Sequence, residues 1–394
     1  MLIYSQGEDA QDNTEAAAAA TELNGAGLRI AIVSDAAPER NGVGAYYRDL
    51  AEHLKAVGAR VDLISPRFRA GHWYGGLSLP LPGDSTQRFV LPSLPLVMRR
   101  MGRLRPDVVI VPTPGPFGML GMVLAKRWHA RLVVGFHTHF ERLAQINDDW
   151  LARGRVAQAY LNACNRALFR EGALVLANSE EMVEIARGIG AKRVGLMGTP
   201  IPKAFLDTPA QPLRDGLRRV LFAGRLAPEK NLGAVVDAAA ALPDLQFQVA
   251  GDGPLRQWLL DHADRLPNLH YVGWVKRQQI LPLLDSADAV VLPSTVESFG
   301  TIALEAMARS RLVVVSSECG ILSWDSLRRG LFQIHANEDL GQTLARVQAL
   351  DHALLQRKAD IAREAAREIN DRNLRHWLRL LRDEDAGGAD DVSI

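Results

Sequence analysis

The sequence has little cysteine, no excess of either charge and no long apolar run, and each absence argues against a class of protein. Only two cysteines, Cys164 and Cys319, occur in 394 residues, and neither has a CxxC or Cys/His spacing. A disulfide framework or structural zinc is therefore not expected, and a reducing compartment fits. The net charge of +1 gives no electrostatic reason to expect a nucleic-acid partner. No run reaches the roughly 18–20 apolar residues that a membrane-spanning helix needs.

The two ends of the chain differ in composition from the rest. The first 27 residues are acidic and alanine-rich, and they lack the basic region and apolar core of a secretory signal. We expect residues 1–27 to be a disordered extension and residues 384–394 to be a solvated acidic tail. What lies between is too long for one compact core, so two domains are expected.

Short apolar runs rich in β-branched residues recur along the chain, and each is followed by a loop and a helical pattern. They fall into one series between residues 28 and 198 and a second between residues 218 and 336. Continuous apolar strands that alternate with helices predict parallel sheets buried on both faces. Two such series predict an α/β protein with two Rossmann-like, doubly wound domains.

A proline-rich segment without periodicity, TPIPKAFLDTPAQPLRDG, predicts the boundary between the two series. After the second series the pattern becomes long, helical and amphipathic. The predicted divisions are an N-terminal domain at 28–200, a linker at 201–216, a C-terminal domain at 217–368 and a final helix at 369–383.

Ligands of open α/β sheets bind beyond the carboxyl ends of the strands, so the residues just after each strand are the informative ones. After the first strand, the run NGVG places Gly42 and Gly44 at the start of a helix. Glycines there let the backbone approach a ligand closely. The third glycine of a dinucleotide fingerprint is missing, which disfavours an oxidoreductase. A simple helix-start turn is the alternative.

A second group, FHTHF, follows the fourth strand and contains His137 and His139. On a strand these two side chains point the same way, but the motif offers no third ligand for a metal. We therefore favour a single histidine that hydrogen-bonds a polar ligand. A purely structural histidine is the alternative.

Two cations follow the first strand of the second series, in AGRLAPEKN. Arg225 and Lys230 lie within a few residues of the strand end, with no carboxylate motif for a metal, and such a pair suits a diphosphate. A salt bridge to Glu229 or to another surface acid is the alternative. Gly251, in the GDGP turn after the next strand, is a candidate for the border of a nucleotide base.

The stretch STVESFGTIALEAMA (294–308) combines a helix start with two carboxylates. Ser298 is a predicted N-cap that leaves the amides around Gly300 and Thr301 free for a phosphate. Glu297 and Glu305 would repel a phosphate but can accept hydrogen bonds from hydroxyl-rich groups. A phosphate flanked by polyols is the outline of a nucleotide sugar. The alternative is that one glutamate caps the helix and the other lies on a solvated face.

Taken together, NGVG, FHTHF, AGRLAPEKN, AGDGP and ESFGTIALEA resemble, in this order, the motifs of the retaining family 4 glycosyltransferases of the GT-B fold. That family includes phosphatidylinositol mannosyltransferases and diacylglycerol glycosyltransferases. The resemblance extends from about the first strand to the loop after ESFGTIALEA. It implies an acceptor-side N-terminal domain and a nucleotide-sugar-binding C-terminal domain around an interdomain cleft, with the final helix crossing back to the first domain.

The resemblance also implies roles for individual residues. Arg225 and Lys230 would bind the donor diphosphate and stabilise the leaving group in place of a metal. Glu297 would contact the donor sugar, with His137 near it, and Glu305 would bind the ribose hydroxyls.

Further roles concern backbone atoms and the overall reaction. The amides around Phe299, Gly300 and Thr301 would hold phosphate, Gly42 would lie against the donor or acceptor phosphate, and Gly251 would belong to the donor site. The implied reaction is transfer from a nucleoside-diphosphate sugar to a hydroxyl acceptor with retained configuration, without a metal or other cofactor.

One loop departs from the family pattern. Where many members carry a double glycine followed by Pro-Glu, this chain reads SSECGILSWDSL, with the single glycine Gly320. The departure keeps open a non-catalytic nucleotide-sugar-binding protein. A nucleotide-sugar epimerase of the same fold is a second alternative.

The segment FVLPSLPLVMRRMGRLRPD mixes apolar residues with four arginines. Such a mixture can lie on an anionic membrane surface, and we interpret residues 89–105 as a peripheral membrane contact. A packed helix with a solvated basic edge is the alternative. We expect a cytoplasmic protein. If the membrane interpretation holds, the protein is also peripheral at the inner membrane surface and the acceptor is a lipid. A polysaccharide precursor is the other acceptor considered.

Overall fold

The computed structural model describes residues 23–39, 42–69, 72–74, 76–81, 84–137, 155–178, 180–297 and 299–383. The predicted extension at 1–27 lies almost wholly, and the predicted tail at 384–394 wholly, outside the described residues. Of the candidate positions raised by the sequence, Ser298 and His139 also lie outside them.

Strands and helices alternate through most of the chain. The strands are β1 (Arg29–Val33), β2 (Arg60–Ile64), β3 (Arg67–Arg69), β4 (His72–Tyr74), β5 (Gly76–Leu81), β6 (Asp84–Pro92), β7 (Val108–Val111), β8 (Arg131–Phe136), β9 (Leu174–Ala177), β10 (Val194–Leu196), β11 (Arg219–Ala223), β12 (Gln246–Ala250), β13 (Leu269–Gly273), β14 (Ala289–Leu292), β15 (Leu312–Val315) and β16 (Phe332–Gln333). The α-helices are α1 (Gly42–Ala56), α2 (Leu94–Leu104), α3 (Pro116–Arg127), α4 (Arg155–Glu171), α5 (Glu180–Ile189), α6 (Lys203–Asp207), α7 (Leu232–Ala241), α8 (Arg256–Ala263), α9 (Arg277–Ser286), α10 (Thr301–Ala308), α11 (Asp325–Arg328), α12 (Leu340–Gln348) and α13 (His352–Arg382).

Two parallel six-stranded sheets organise the molecule. The first has the order β10-β9-β8-β7-β1-β2 and the second the order β13-β12-β11-β14-β15-β16. In each sheet the strand order reverses beside the domain's first strand, between β1 and β7 and between β11 and β14. These are topological switch points, where ligands of doubly wound sheets bind. The predicted α/β class with two Rossmann-like sheets is confirmed.

The central strands are buried along their whole length, which explains their continuous apolar sequences. Strands β7, β9, β14 and β15 read VVIV, LVLA, AVVL and LVVV, and all of their residues are buried. Two apolar clusters flank each sheet, one on each face. With helices packed on both faces, no strand position needs a polar side chain, so the alternation of half-exposed strands is absent.

Helix α13 connects the two domains. Its first half places Ala362 and Ala366 in the C-terminal core, whereas Leu374, Trp377 and Leu381 belong to the N-terminal core. The helix begins before the predicted 369–383, because no proline or glycine interrupts it and because the Asp351 side chain accepts a hydrogen bond from the first turn. Among the described residues, no helix is long and apolar enough to cross a bilayer.

The segment predicted as a linker is held by two buried arginines of the C-terminal domain. The guanidinium of Arg309 donates to the carbonyls of Phe205, Thr208 and Pro209 at 2.6 to 3.0 Å. Arg311 donates to the carbonyl of Gln211. The chain from residue 205 onward is therefore attached to the C-terminal domain, despite its irregular sequence.

Candidate active site

The switch point of the C-terminal sheet brings a lysine and a glutamate together. Lys230 ends a 3-10 turn after β11, and Glu297 follows the neighbouring strand β14. Lys230 Nζ lies 2.6 Å from Glu297 Oε2, and the two side chains are 22% and 17% exposed. The two predicted residues thus form one partly buried ion pair. No side chain in the described part of the chain caps α10, so capping by Glu297, the alternative raised by the sequence, does not hold.

Hydrogen bonds between the two loops fix this pair. The N–H of Thr295 donates to the carbonyl of Glu229 at 2.9 Å, and the Asn231 side chain donates to the carbonyl of Pro293 at 3.2 Å. Asn231 has a φ of +51°, in the left-handed region that asparagine tolerates, and this lets the chain turn from Lys230 directly into α7. The lysine is therefore positioned by the fold.

The loop that departs from the family pattern packs on the same glutamate. The N–H of Gly320 donates to the carbonyl of Glu297 at 2.9 Å, and Cys319 pairs with Glu297 in an isolated parallel bridge. The ring of Phe299 meets that of Trp324 edge to face, with centroids 6.2 Å apart. Burial raises the pKa of the Cys319 thiol to about 11, so it acts as an apolar packing group. The loop supports Glu297 without the double glycine.

Helix α10 begins directly beyond this support. Its N-cap residue is Gly300, with a φ of +92°, in the left-handed region that favours glycine. A Cβ at this position would also lie 3.0 Å from the Sγ of Cys319. The Ala303 amide donates to the Gly300 carbonyl at 2.9 Å, whereas the amides of Thr301 and Ile302 have no partner among the described residues and are available to an anion.

A pocket of about 340 Å³ lies at the ends of β11 and β12. Its lining includes Gly224, Arg225, Gly251, Asp252, Trp274 and Ile302. Gly251 has a φ of +140°, and a Cβ there would overlap the carbonyl of Gly224, so only glycine fits. The Arg225 side chain is exposed, and no acid in the described part of the chain pairs with it; the predicted alternative, a salt bridge to Glu229, is absent.

The second glutamate of the motif is buried inside the protein. Glu305 is 1% exposed, which excludes the solvated face considered as an alternative. Arg277 Nη2 lies 2.5 Å from Glu305 Oε1. Burial raises the pKa of Glu305, and the charge of Arg277 partly offsets that rise. Glu305 lies one turn after Ile302, whose side chain lines the pocket, so it faces the same side of α10.

Two predicted residues, His137 and Gly42, lie in the N-terminal domain. His137 follows β8, and its Nε2 is 3.1 Å from the hydroxyl of Tyr47. Its ring packs edge-on against those of Tyr46 and Tyr47, with centroids 5.3 Å apart in each case. Burial lowers the pKa of His137 to about 4, so it is neutral at neutral pH. Gly42 begins α1, and a Cβ there would meet open space.

Sequence reasoning missed a carboxylate at the other switch point. Asp35 follows β1, and it accepts hydrogen bonds from the Thr113 hydroxyl and from the amides of Gly115, Phe117 and Gly118, at 2.7 to 3.1 Å. Burial raises its pKa to about 6. The aspartate thereby caps α3 from a different strand. The only available signal was an acid immediately after an apolar strand, which does not identify a partner so distant in sequence.

The described residues contain no group of three or more histidine, cysteine, aspartate or glutamate side chains that could hold a metal ion. His139, which the sequence raised as half of a metal pair, is outside them. Metal independence therefore stays a prediction.

Comparisons with known proteins agree with the two-domain geometry. The model "Glycosyltransferase Family 4" matches residues 40–201, and the model "Glycosyl transferases group 1" matches residues 206–324. The chain is 26% identical to the alpha-monoglucosyldiacylglycerol synthase of Acholeplasma laidlawii over 325 residues, which is 73% of this chain and 80% of the synthase.

Solved structures share the fold along nearly the whole chain. Sucrose-phosphate synthase from Thermosynechococcus elongatus superposes with a TM-score of 0.62 at 18% identity, covering 92% of this chain and 100% of that one. Anabaena Alr3699/HepE, in complex with UDP and glucose, superposes with a TM-score of 0.56 at 16% identity, covering 92% and 100%. The chain belongs to the family 4-like glycosyltransferases of the GT-B fold, with a Family 4 half followed by a group 1 half.

Proposed function

We propose that this glycosyltransferase moves a sugar from a nucleoside-diphosphate donor to a hydroxyl acceptor and retains the configuration at the anomeric carbon. The observation that carries the proposal is the Lys230–Glu297 pair, 2.6 Å apart at the C-terminal switch point. A lysine suits the negative charge that develops on a leaving diphosphate, and a carboxylate suits the hydroxyls of the sugar attached to it. Side by side, the two groups suit a place where a phosphate and a sugar meet.

The surrounding residues extend the donor site in two directions. Arg225 presents its guanidinium at the pocket, paired with no acid of the described residues, and there it can bind the diphosphate with Lys230. The first-turn amides of α10 offer a second contact to phosphate. The pocket, lined by Gly251 and Trp274, accommodates the nucleobase. Glu305 is the proposed ligand of the ribose hydroxyls.

In the proposed reaction the bond between the anomeric carbon and the diphosphate oxygen breaks while the acceptor oxygen attacks from the same face. The acceptor proton passes to the leaving diphosphate, so no protein nucleophile is required. Arg225 and Lys230 stabilise the charge on the leaving group, the role that a metal ion plays in other phosphate chemistry. His137, neutral in its buried site, lies on the acceptor side and hydrogen-bonds a polar group of the bound sugar.

The acceptor that we propose is a membrane lipid, as in the relative named for a diacylglycerol product. Helix α2 buries Val97 and Met101, yet Leu94, Leu96 and Met98 on the same helix are exposed. The predicted alternative, a packed helix with a solvated basic edge, does not account for these exposed apolar side chains. Several large apolar side chains exposed to water on one short helix are typical of an interaction surface.

Charges beside this apolar surface fit an anionic bilayer. Arg99 and Arg103 on α2 are exposed, whereas Arg100 is held by Asp62, with its Nε 3.0 Å from Oδ2. Cations next to exposed leucines are the composition of helices that lie at membrane interfaces. We therefore propose that residues 89–105 contact the inner surface of the membrane peripherally and bring the cleft to a lipid acceptor.

A product analysis tests the proposal. A thermal-shift screen of UDP-, GDP- and ADP-sugars first selects the donor, because binding raises the unfolding temperature. The selected donor is then incubated with diacylglycerol in vesicles, and the product is examined by mass spectrometry and NMR. A new glycoside with the donor's anomeric configuration is expected; an epimerised sugar nucleotide, an inverted product or binding without turnover contradicts the proposal.

The same assay tests whether the reaction requires a metal ion. Activity is expected to persist in EDTA, because Arg225 and Lys230 supply the positive charge. Complete loss of activity that added magnesium restores contradicts the metal-free mechanism and leaves the transfer reaction itself in place.

A further inference from the structure

Arg277 lies between carboxylates of the two domains. It is the first residue of α9, and its Nη2 is 2.5 Å from Glu305 Oε1 on α10 and 3.4 Å from Asp49 Oδ2 on α1. Its guanidinium carbon also lies 5.6 Å from the centroid of the Phe205 ring. One side chain thus contacts the N-terminal domain, the segment that connects the domains and the second glutamate of the donor motif.

The glutamate in this arrangement has unused capacity. Both carboxylate oxygens of Glu305 are buried, and apart from the ion pair between Oε1 and Arg277 neither has a hydrogen-bond partner among the described residues. A carboxylate can accept about four hydrogen bonds, and burying one without them costs free energy. Buried carboxylates that lack hydrogen-bond donors are rare in native proteins. A ligand that supplies the missing donors would explain this one.

The ion pair with Arg277 restricts where those donors can come from. Because Nη2 lies against Oε1, the Oε1 side of the carboxylate is occupied, while Oε2 has no partner within the ranges that the structure describes. The Phe205 ring packs on the guanidinium and limits its rotation. Arg277, whose own orientation is restricted by Phe205, therefore holds Glu305 in one orientation.

We propose that Arg277 is a positioning residue for the donor, which holds the Glu305 carboxylate in place so that its free oxygen accepts a ribose hydroxyl. The inference rests on the proposed function, since it presumes a nucleotide at this site. Asp49, bound to the same nitrogen from α1, keeps the arginine at the domain interface. Donor recognition thereby depends on a residue that also contacts the other domain.

Nucleotide binding without turnover tests this assignment. UDP, GDP and ADP are titrated into the full-length protein by calorimetry, and the tightest binder is compared with its 2′-deoxy form. In the wild-type protein the 2′-deoxy nucleotide is expected to bind about tenfold more weakly, because one hydrogen bond to a charged acceptor is lost. In Arg277→Ala this ratio is expected to fall toward one, since Glu305 no longer has a fixed orientation.

Two further variants separate positioning from folding. Gln278→Ala alters the next, exposed residue of α9 and is expected to keep the wild-type ratio. Arg277→Lys keeps the charge without the guanidinium fork, and its ratio is expected to lie between those of the wild type and Arg277→Ala; it also gives a reading if the alanine variant does not fold.

The outcomes distinguish this inference from the proposed function. A wild-type ratio near one, or a full ratio retained in both Arg277 variants, overturns the positioning role while nucleotide binding persists. A ratio lost equally in Gln278→Ala shows general damage to α9 and also overturns it. If none of the three nucleotides binds the wild-type protein, the proposed donor class is the part that fails.

Discussion

Lys230 Nζ and Glu297 Oε2 lie 2.6 Å apart although 67 residues separate them in the chain. Each residue follows one of two adjacent parallel strands, β11 and β14, at the point where the strand order reverses. Without a donor, the two charges neutralise each other in a partly buried position. A bound diphosphate offers the lysine a second anion, and the glutamate can then turn to the sugar hydroxyls.

We expect Lys230→Ala and Glu297→Ala each to reduce turnover at least about tenfold, the effect of losing roughly 1.4 kcal/mol of transition-state stabilisation. Steady-state kinetics with the selected donor measure this. The matched control is Lys126→Ala, which breaks an ion pair of similar length with Glu171, 2.7 Å apart but far more exposed. That variant is expected to have wild-type kinetics.

The double variant, Lys230→Ala with Glu297→Ala, is a stricter test of whether the two residues act together. Because Lys230 and Glu297 contact each other, their effects are expected not to add, and the double variant should lose less than the product of the single losses. Wild-type turnover in both single variants contradicts the assignment of the site.

Two glycines of the first loop should respond differently to the same substitution. A Cβ at Gly42 meets open space, whereas a Cβ at Gly44 would lie 2.7 Å from the carbonyl carbon of Ala37. Gly42→Ala is therefore expected to keep the wild-type free energy of unfolding within about 0.5 kcal/mol, and Gly44→Ala to lower it by about 1–3 kcal/mol. Urea denaturation measures both.

If a ligand phosphate lies against Gly42, the Gly42→Ala variant should change in activity but not in stability. Gly42→Ala should then raise the KM for the donor or the acceptor in a protein of normal stability. A normal KM in both assays would show that this glycine only starts a helix.

The fold was predictable because the strands are buried on both faces. Runs such as VVIV and LVVV carry no polar residue, so the strands of the two large sheets could be recognised as two series along the chain. The short hairpins β3–β4 and β5–β6 were not predicted, since they lack such runs. Strand pairing between adjacent segments depends on turn geometry that leaves little trace in composition.

The site was predictable only in part, for a related reason. Lys230 and Glu297 follow strand ends, which the topology rule identifies. Arg277 begins a helix, and nothing in its sequence neighbourhood indicates a contact with Asp49, 228 residues away. The burial of Glu305 was equally hidden, because a glutamate in an amphipathic helix is normally on the solvent side. Partners that come from different domains are set by tertiary packing alone.

The buried histidine predicts a pH dependence of stability. The pKa of His137 is about 4 in the folded protein and 6.5 when unperturbed, so the unfolded state binds more protons between these values. The free energy of unfolding should therefore rise as pH increases from about 4 to 6.5 and then level off, with a total contribution of at most about 3 kcal/mol.

Comparison with His137→Gln isolates this contribution. Asp35, whose pKa is raised to about 6 from 3.8, acts in the opposite direction, because it makes stability fall as pH rises through that interval. Its effect is present in both proteins and cancels when the unfolding free energies are subtracted at each pH. A difference that does not change with pH would show that His137 titrates normally in the folded state.

The exposed leucines of α2 predict membrane binding that can be removed without unfolding the protein. Leu94 and Leu96 are 49% and 48% exposed, so Leu94→Ser with Leu96→Ser should change the free energy of unfolding by less than about 1 kcal/mol. Binding to vesicles that contain anionic lipid should weaken about tenfold or more, because two leucines no longer enter the interface. Ile361→Ser, at an equally exposed position on α13, is the matched control.

Salt separates the charged part of this contact from the apolar part. Arg99→Gln with Arg103→Gln should weaken vesicle binding by about 1 kcal/mol per arginine at low salt and by less at high salt, where the surface potential is screened. The leucine variants should show the same loss at both salt concentrations. Equal binding of wild-type protein, the α2 variants and the Ile361 control would place any membrane contact elsewhere, and the acceptor would then have to reach the cleft from solution.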